Sequence, residues 1–195
     1  MVVGLTGGIG SGKTSISKFF MELDIPVYIA DDAGKRLMET SAEIKDEIVN
    51  LLGEKSYQNK LPDRKYIANL VFNNAEKLEA LNQIIHPAVA ADFNTWQAQQ
   101  SSPYLIYEAA ILFETGGAKK CDYTILVTAD KTERIERLLK RDKSSKEEIE
   151  ARIAKQWTDN EKRKLVDFEI ENHDLNLSRA RVIELHAILL KRAKN

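Results

Sequence analysis

The sequence has few of the features that would tie it to secretion, a membrane or nucleic acid. Its one cysteine, Cys121, excludes an internal disulfide framework and a cysteine-rich metal site. No apolar run approaches the roughly 18 residues that span a bilayer, and no basic segment precedes the first apolar residues, as a signal peptide requires. A net charge of −1 gives no general attraction to nucleic acid or anionic lipid. We therefore expect a cytoplasmic protein with neither as partner.

Apolar residues make up 43% of the 195-residue chain, which is enough for a core, and the length suits one domain with an insertion. Short apolar runs predict strands at residues 2–5, 27–30, 104–107, 123–127 and 168–170. Helical periodicity or capping signals predict helices at residues 13–22, 130–141, 145–157 and 175–194. Because strands alternate with helices, we predict an α/β fold with a parallel sheet covered on both faces.

Residues 32–91 interrupt this alternation. Their apolar residues recur at helical spacing, no strand is predicted among them, and Pro62 and Pro87 suit helix starts. The block therefore reads as a helical insertion between strands. Elsewhere, Asp130 and Ser145 are each followed three residues later by glutamate, which predicts two capping boxes.

A glycine-rich loop directly follows the first predicted strand. Residues 7–14 read GGIGSGKT and match the phosphate-binding pattern G-x-x-x-x-G-K-[ST] between a strand and a helix. Glycine lets backbone N–H groups approach phosphate oxygens, and the helix N-terminus adds further donors. Lys13 supplies a charge for the β- and γ-phosphates, and the Thr14 hydroxyl supplies a ligand for Mg²⁺. The predicted ATP-binding residues are Gly8, Ile9, Gly10, Ser11, Gly12, Lys13, Thr14 and Ser15.

A phosphate-binding loop does not by itself name the reaction. The three classes to separate are a small-molecule kinase, a GTPase switch and an ATPase motor. A GTPase carries a guanine-reading N-K-x-D segment, whereas the one Asn-Lys pair here, Asn59-Lys60, is followed by Leu-Pro within the helical block. This disfavours the switch. Residues 104–108 fit the acidic strand end that a motor requires, so that class stays open.

A kinase needs a carboxylate near the acceptor hydroxyl, an acceptor-binding surface, and arginines that cover the transferring phosphoryl group. Asp31 ends the second predicted strand, where ligands bind in open α/β sheets. The helical block offers the surface. The helix at 130–141 carries Arg134, Arg137 and Arg141 opposite its apolar face; Arg137 and Arg141, with Arg152 and Lys155 of the next helix, are candidates for a lid. Helix capping by Asp31 and a solvated arginine face are the alternatives.

Further motifs share their order and spacing with one known family. They are the loop segment GLTGGIGSGKT, Ala30-Asp31, LNQIIHP at 81–87, LFE at 112–114, RLLKRD at 137–142 and RIAKQ at 152–156. Nearly end to end, the chain resembles the dephospho-coenzyme A kinase family. The resemblance implies ATP- and Mg²⁺-dependent phosphorylation of the ribose 3′-hydroxyl of dephospho-CoA. The alternatives are a nucleoside or nucleotide acceptor, or a nucleotide-dependent switch.

The resemblance also implies a three-layer P-loop kinase fold with a helical substrate-binding insertion and a small lid. The expected nucleotide-binding core is residues 1–31, 92–138 and 165–195, the acceptor domain 32–91 and the lid 139–164. We expect a monomer. By position, Asp31 is the catalytic base, Lys13 and Arg141 stabilise the phosphoryl group, and Thr14 holds Mg²⁺. The implied acceptor-binding residues are Asp31, Lys35, Arg36, His86 and Glu108.

The chain departs from the family pattern at three places near these residues. Ile29 stands where the family often has an aspartate, and Lys35 stands where it has an arginine, although Arg36 is adjacent. Residues 108–111 read Glu-Ala-Ala-Ile in place of Asp-x-Pro-Leu. The carboxylate is kept at Glu108, but the rigid turn that proline provides is lost.

Overall fold

The computed structural model describes residues 1–72, 74–142 and 144–194. In chain order its helices and strands are β1 (Val2–Thr6), α1 (Lys13–Met21), β2 (Val27–Ile29), α2 (Ala30–Thr40), α3 (Ala42–Leu52), β3 (Tyr57–Gln58), β4 (Leu61–Pro62), α4 (Arg64–Phe72), α5 (Ala75–Gln97), β5 (Leu105–Glu108), β6 (Tyr123–Thr128), α6 (Lys131–Arg141), α7 (Lys146–Ala154), α8 (Asp159–Arg163), β7 (Phe168–Glu171) and α9 (Leu175–Arg192). These elements form two compact units, one of Met1–Ile29 with Gln100–Asn195 and one of Ala30–Gln99.

A five-stranded parallel sheet in the order β2-β5-β1-β6-β7 forms the centre of the first unit. β1 lies between β5 and β6, and all five of its residues are buried, as expected for an inner strand of a covered parallel sheet. Leu5 is in register with Glu108 of β5 on one side and Ile125 of β6 on the other. The loop that follows β1 therefore begins at the middle of the carboxyl edge of the sheet.

Helices α1 and α9 contribute to the main apolar core of this unit. Ile16 and Phe20 of α1 and Val182, Leu185 and Leu189 of α9 are buried in one cluster with strand residues. A smaller cluster joins α6 and α7 through buried Ile135, Leu138 and Ile149, with Ile9 of the glycine-rich loop packed against it. The apolar stripe of α6 is thus what brings that helix to the loop.

The second unit is helical, with a core of Ile44, Ile48, Leu52, Ile67 and Val71. Its helix starts follow capping chemistry: Ser41 accepts a hydrogen bond from the N–H of Ile44, and Asn74 accepts one from Lys77. No helix among the described residues is both long and apolar enough to cross a membrane.

The predicted fold class is confirmed, and each of the five predicted strands is found within one residue of its predicted ends. The prediction that residues 32–91 contain no strand is wrong, because β3 and β4 pair as a short antiparallel hairpin. Asn59 and Lys60 turn the chain with φ of 50° and 67°, and Pro62 lies in β4 instead of starting a helix.

Two other local predictions are wrong. Pro87 lies inside α5; its neighbours Ile85 and Ala88 pack on the core of the second unit, which offsets the hydrogen bond that proline removes. Asp130 precedes α6 but makes no capping hydrogen bond. Its carboxylate lies 3.9 Å from the ring of His173 instead. The capping box at Ser145 is confirmed.

Candidate active site

The glycine-rich loop occupies residues 7–12, between the end of β1 and the start of α1. The Ser11 N–H donates to the Gly8 carbonyl at 3.1 Å, and the Ser15 N–H donates to the Gly12 carbonyl at 2.9 Å, which continues the turn into the helix. Gly12 has φ of +93°, a left-handed conformation that glycine adopts without steric cost. The loop is therefore closed in part by its own backbone.

Lys13 is held against this loop. Its Nζ donates to the Gly7 carbonyl at 2.9 Å and lies 3.8 Å from Oε1 of Glu108, a buried carboxylate at the end of β5. The lysine side chain is 11% exposed, so its charge lies within the site and not in bulk solvent. Thr14, in the first turn of α1, is exposed.

Two arginines of α6 and one asparagine satisfy the loop carbonyls. Arg134 is buried, and its Nε donates to the Ile9 carbonyl at 2.9 Å. Arg137 Nη1 lies 3.4 Å from the Ser11 carbonyl, while its Nη2 donates to the Asn172 carbonyl at 2.7 Å. The buried Asn172 donates from Nδ2 to the Ser11 carbonyl at 2.8 Å. The loop thus has few backbone acceptors left to be solvated.

These supporting groups explain two of the glycines. A Cβ placed on Gly8 would overlap the guanidinium of Arg134, and a Cβ on Gly12 would overlap the amide of Asn172. Burial lowers the pKa of Arg134, and the nearby Asp159 carboxylate opposes that effect. At neutral pH the guanidinium stays charged because its ordinary pKa is far higher.

Two of the candidate lid residues, Arg141 and Arg152, meet on one carboxylate at the junction of α6 and α7, while Lys155 is exposed at the end of α7. Arg141 is exposed, and its Nε donates to Asp142 at 2.8 Å. Arg152 donates to the other oxygen of Asp142 at 3.2 Å. The hydrogen bond from Arg141, with that from Arg152, holds the pKa of Asp142 below its ordinary value. Arg137, by contrast, is engaged with the loop itself.

In the second unit, Asp31 is exposed in the first turn of α2. Lys35 pairs with Asp32 at 2.7 Å, and Arg36 pairs with Asp92 of α5 at 2.6 Å.

His86, also in the second unit, is exposed on α5. Partial burial of its ring lowers its pKa, against an opposing effect of Glu79. Asp31, Lys35, Arg36 and His86 thus all lie in the second unit, while Lys13, Glu108 and Arg141 lie in the first.

Sequence reasoning missed a buried ion pair that anchors the segment after α7. Lys162 is fully buried, and its Nζ lies 2.9 Å both from Glu114 Oε1 and from the Ala110 carbonyl. The same carboxylate accepts the N–H of Trp157 at 3.0 Å. Glu114 belongs to the LFE motif noted above, but Lys162 lies in a charged run that looks solvated. Nothing in that run distinguishes a buried lysine from an exposed one.

A second missed contact reaches the loop from the same segment. The Ile9 N–H donates to Oε1 of Gln156 at 2.8 Å. Gln156 ends the RIAKQ motif, so a signal was present, but its contact required the fold.

A further polar cluster lies at the start of α6. Asp130, Glu133 and His173 bring three potential metal-ligating atoms within 4.8 Å of one another. Glu133 is already bound by Arg137 at 2.9 Å, so the cluster reads as an ion-pair network around that arginine.

A parallel α/β sheet with a lysine-bearing phosphate loop at the end of an inner strand defines a P-loop nucleotide-binding protein. Its solved structural neighbours are P-loop kinases. A family model described as dephospho-CoA kinase matches residues 1–176. The chain belongs to the dephospho-CoA kinase family.

Individual relatives agree with this placement. A dephospho-CoA kinase of Fusobacterium nucleatum is 37% identical over 89% of this chain and 90% of its own length. Among solved structures, TT1252 of Thermus thermophilus matches with a TM-score of 0.87 and 31% identity, covering 98% of this chain and 97% of that one. A dephospho-CoA kinase from Campylobacter jejuni matches with a TM-score of 0.71 and 25% identity, covering 97% of both chains.

Replacing Lys162 with methionine tests the buried ion pair. We expect Lys162→Met to lower the free energy of unfolding by about 3 kcal/mol, because the Glu114 carboxylate then stays buried without its cation. Chemical denaturation measures the change, and Lys162→Met/Glu114→Gln should recover part of it. Arg163→Met is the matched control: its pair with Glu169 is 45% exposed on the arginine side, and its loss should cost less than about 1 kcal/mol. Equal losses in Lys162→Met and Arg163→Met would contradict the assignment.

Proposed function

We propose that this chain transfers the γ-phosphoryl group of ATP to the ribose 3′-hydroxyl of dephospho-CoA. The observation that carries the proposal is a closed phosphate loop with Lys13 held against it, in a chain of the dephospho-CoA kinase family. The relatives from Fusobacterium nucleatum and Campylobacter jejuni are both named dephospho-CoA kinases.

On the donor side, Lys13 and the N–H groups at the start of α1 supply positive charge for the phosphates of ATP. We propose nucleotide contacts along residues 8–15. Thr14 is exposed at the helix start, and its hydroxyl is the kind of hard oxygen ligand that Mg²⁺ takes. Bound Mg²⁺ would neutralise charge on the β- and γ-phosphates.

On the acceptor side, we propose the helical unit as the CoA-binding domain and Asp31 as the base. The Asp31 carboxylate takes the proton from the 3′-hydroxyl while the ribose 3′-oxygen attacks the γ-phosphorus and ADP leaves. Lys35, Arg36 and His86 of the same unit, with Glu108 at the end of β5, are the proposed acceptor contacts. The cationic side chains suit the phosphate groups of a CoA precursor.

We propose residues 139–164 as the lid, with Arg141 as the group that stabilises the transferring phosphoryl. Arg141 is 62% exposed and bonded only to the adjacent Asp142 among the contacts described, so it can exchange that partner for a phosphate at small cost. A monomeric state, a cytoplasmic location and the core and domain bounds given above stay predictions of the sequence. A nucleoside-type acceptor and a nucleotide-dependent switch are the alternatives.

The acceptor is tested by following ADP formation by the full chain with MgATP alone and then with dephospho-CoA, adenosine, AMP or uridine. We expect stimulation by dephospho-CoA only, with the new phosphate on the ribose 3′-oxygen by phosphorus NMR. Stimulation by AMP or a nucleoside instead would assign another acceptor. ADP formation that no small acceptor stimulates would favour the switch.

Asp31→Asn tests the proposed base. The amide keeps the shape of the side chain but cannot take the proton, so we expect kcat to fall by about 10²–10⁴ while MgATP affinity changes less than about threefold. The neighbouring Asp32→Asn, which removes the same charge from an exposed pair with Lys35, should leave kcat within about threefold. Turnover retained in Asp31→Asn would remove its role as base.

Arg141→Ala tests the lid assignment. An arginine that stabilises the transition state contributes about 10³ in rate, so kcat should fall far more than ATP affinity. Lys140→Ala, an exposed cation one residue earlier on α6, is the control and should change kcat little. Parallel losses in kcat and in ATP affinity for Arg141→Ala would show a binding role in place of the proposed one.

A further inference from the structure

We propose that Arg134 and Gln156 are positioning residues that together clamp the Ile9 backbone and thereby fix the phosphate loop for ATP. The inference rests on the proposed function only in that the loop receives the phosphates of ATP. Neither residue was among the predicted site residues: Arg134 was read as part of a solvated or lid-bearing face, and Gln156 carried no role.

Ile9 lies between Gly8 and Gly10, two residues whose lack of a Cβ gives the flanking backbone more freedom than other residues would. Its N–H donates to Gln156 Oε1 at 2.8 Å, and its carbonyl accepts from Arg134 Nε at 2.9 Å. The two partners come from elements 147 and 125 residues away in the chain. Side chains from outside the loop thus hold the peptide groups on both sides of Ile9, in addition to the hydrogen bond from the Ser11 N–H to the Gly8 carbonyl.

The clamp residues are themselves held in place by one segment. Arg134 is buried, with 7% of its surface exposed. Its Nη1 lies 3.4 Å from the carboxylate of Asp159, in the first turn of α8. Gln156 is adjacent to Trp157, whose N–H is bound by Glu114. The Glu114 carboxylate, which follows β5, thus anchors both ends of residues 157–162, through the Trp157 N–H and through Lys162. This anchored segment directly follows the Gln156 acceptor and carries the partner of Arg134.

A clamp of this kind acts on phosphate binding through conformational entropy. A loop with glycine at residues 7, 8, 10 and 12 samples many backbone states when nothing holds it, and ordering it on ATP binding would weaken the affinity. A loop fixed beforehand by side chains avoids that loss. Neither Arg134 nor Gln156 is among the proposed acceptor contacts, so removal of the clamp should affect ATP recognition and leave acceptor recognition unchanged.

The test measures MgATP binding to the full chain by isothermal titration calorimetry, without acceptor, for Gln156→Leu, Arg134→Met and the double variant. Each single change removes one of the two bonds, and we expect Kd for MgATP to rise about tenfold. KM for ATP should rise in parallel, with KM for dephospho-CoA unchanged. Either loss frees the same Ile9 backbone. The Kd of the double variant should therefore exceed the higher of the two single-variant Kd values by no more than about twofold.

Arg163→Met is the matched control, since it makes the same substitution in the neighbouring exposed pair with Glu169 and should leave Kd unchanged. A Gln156→Leu protein with wild-type melting temperature and unchanged Kd would overturn the clamp. Lower kcat at unchanged Kd and KM, or losses that multiply to about a hundredfold in the double variant, would overturn it as well. The two proposals can fail separately. If the variants bind MgATP more weakly but the wild type does not phosphorylate dephospho-CoA, the clamp is supported and the proposed acceptor is rejected.

Discussion

The site depends on how residues 7–12 cross from β1 to α1 with almost no side chains of their own. Such a backbone exposes carbonyls and N–H groups that need partners, and the protein supplies them from outside the loop. The loop carbonyls accept hydrogen bonds from Arg134 and Arg137 of α6 and from Asn172 after β7. One loop N–H donates to the side chain of Gln156. Glycine is then required where these side chains approach, because a Cβ at Gly8 or Gly12 would overlap them.

The order of the sheet explains why those partners are available. The strands are parallel, so their carboxyl ends meet at one edge, with β1 near the middle. Glu108 ends β5 on one side of the loop, and Asn172 follows β7 on the other, two strands away from β1. The N–H of Asn172 donates to the Thr128 carbonyl at the end of β6, which fixes its side chain toward Ser11. The order and register of the strands thus determine which residues surround the loop.

Short-range patterns were enough to predict the fold class, the five strands and the phosphate loop, because those features depend on local hydrophobic periodicity and on glycine at fixed spacing. Predictions failed where tertiary contacts decide. Pro87 continues a helix because its neighbours pack on a core, and Asp130 faces His173 instead of capping α6. Arg134 shares helical spacing with the exposed Arg141, yet it is buried under the loop. The helical spacing shows that both arginines lie on one face of α6. It does not show that the loop covers the Arg134 end of that face and leaves the Arg141 end exposed.

The proposed roles of Asp31 and Arg141 differ in kind from the proposed role of the loop. Their charges are exposed and paired with near neighbours or solvent, as suits groups that act when substrates arrive. The loop, in contrast, is held by buried partners before any substrate binds. The proposed donor loop is thus held by partners within the protein, whereas Asp31 and Arg141, the proposed base and lid group, are exposed.

The most direct test of a preformed loop is amide hydrogen exchange at single-residue resolution in the absence of nucleotide. The account predicts that the N–H groups of Ile9 and Ser11 exchange slowly, because Gln156 and Gly8 accept their hydrogen bonds. Exchange of both at the rate of an unstructured peptide, with slow exchange only after MgATP is added, would contradict it.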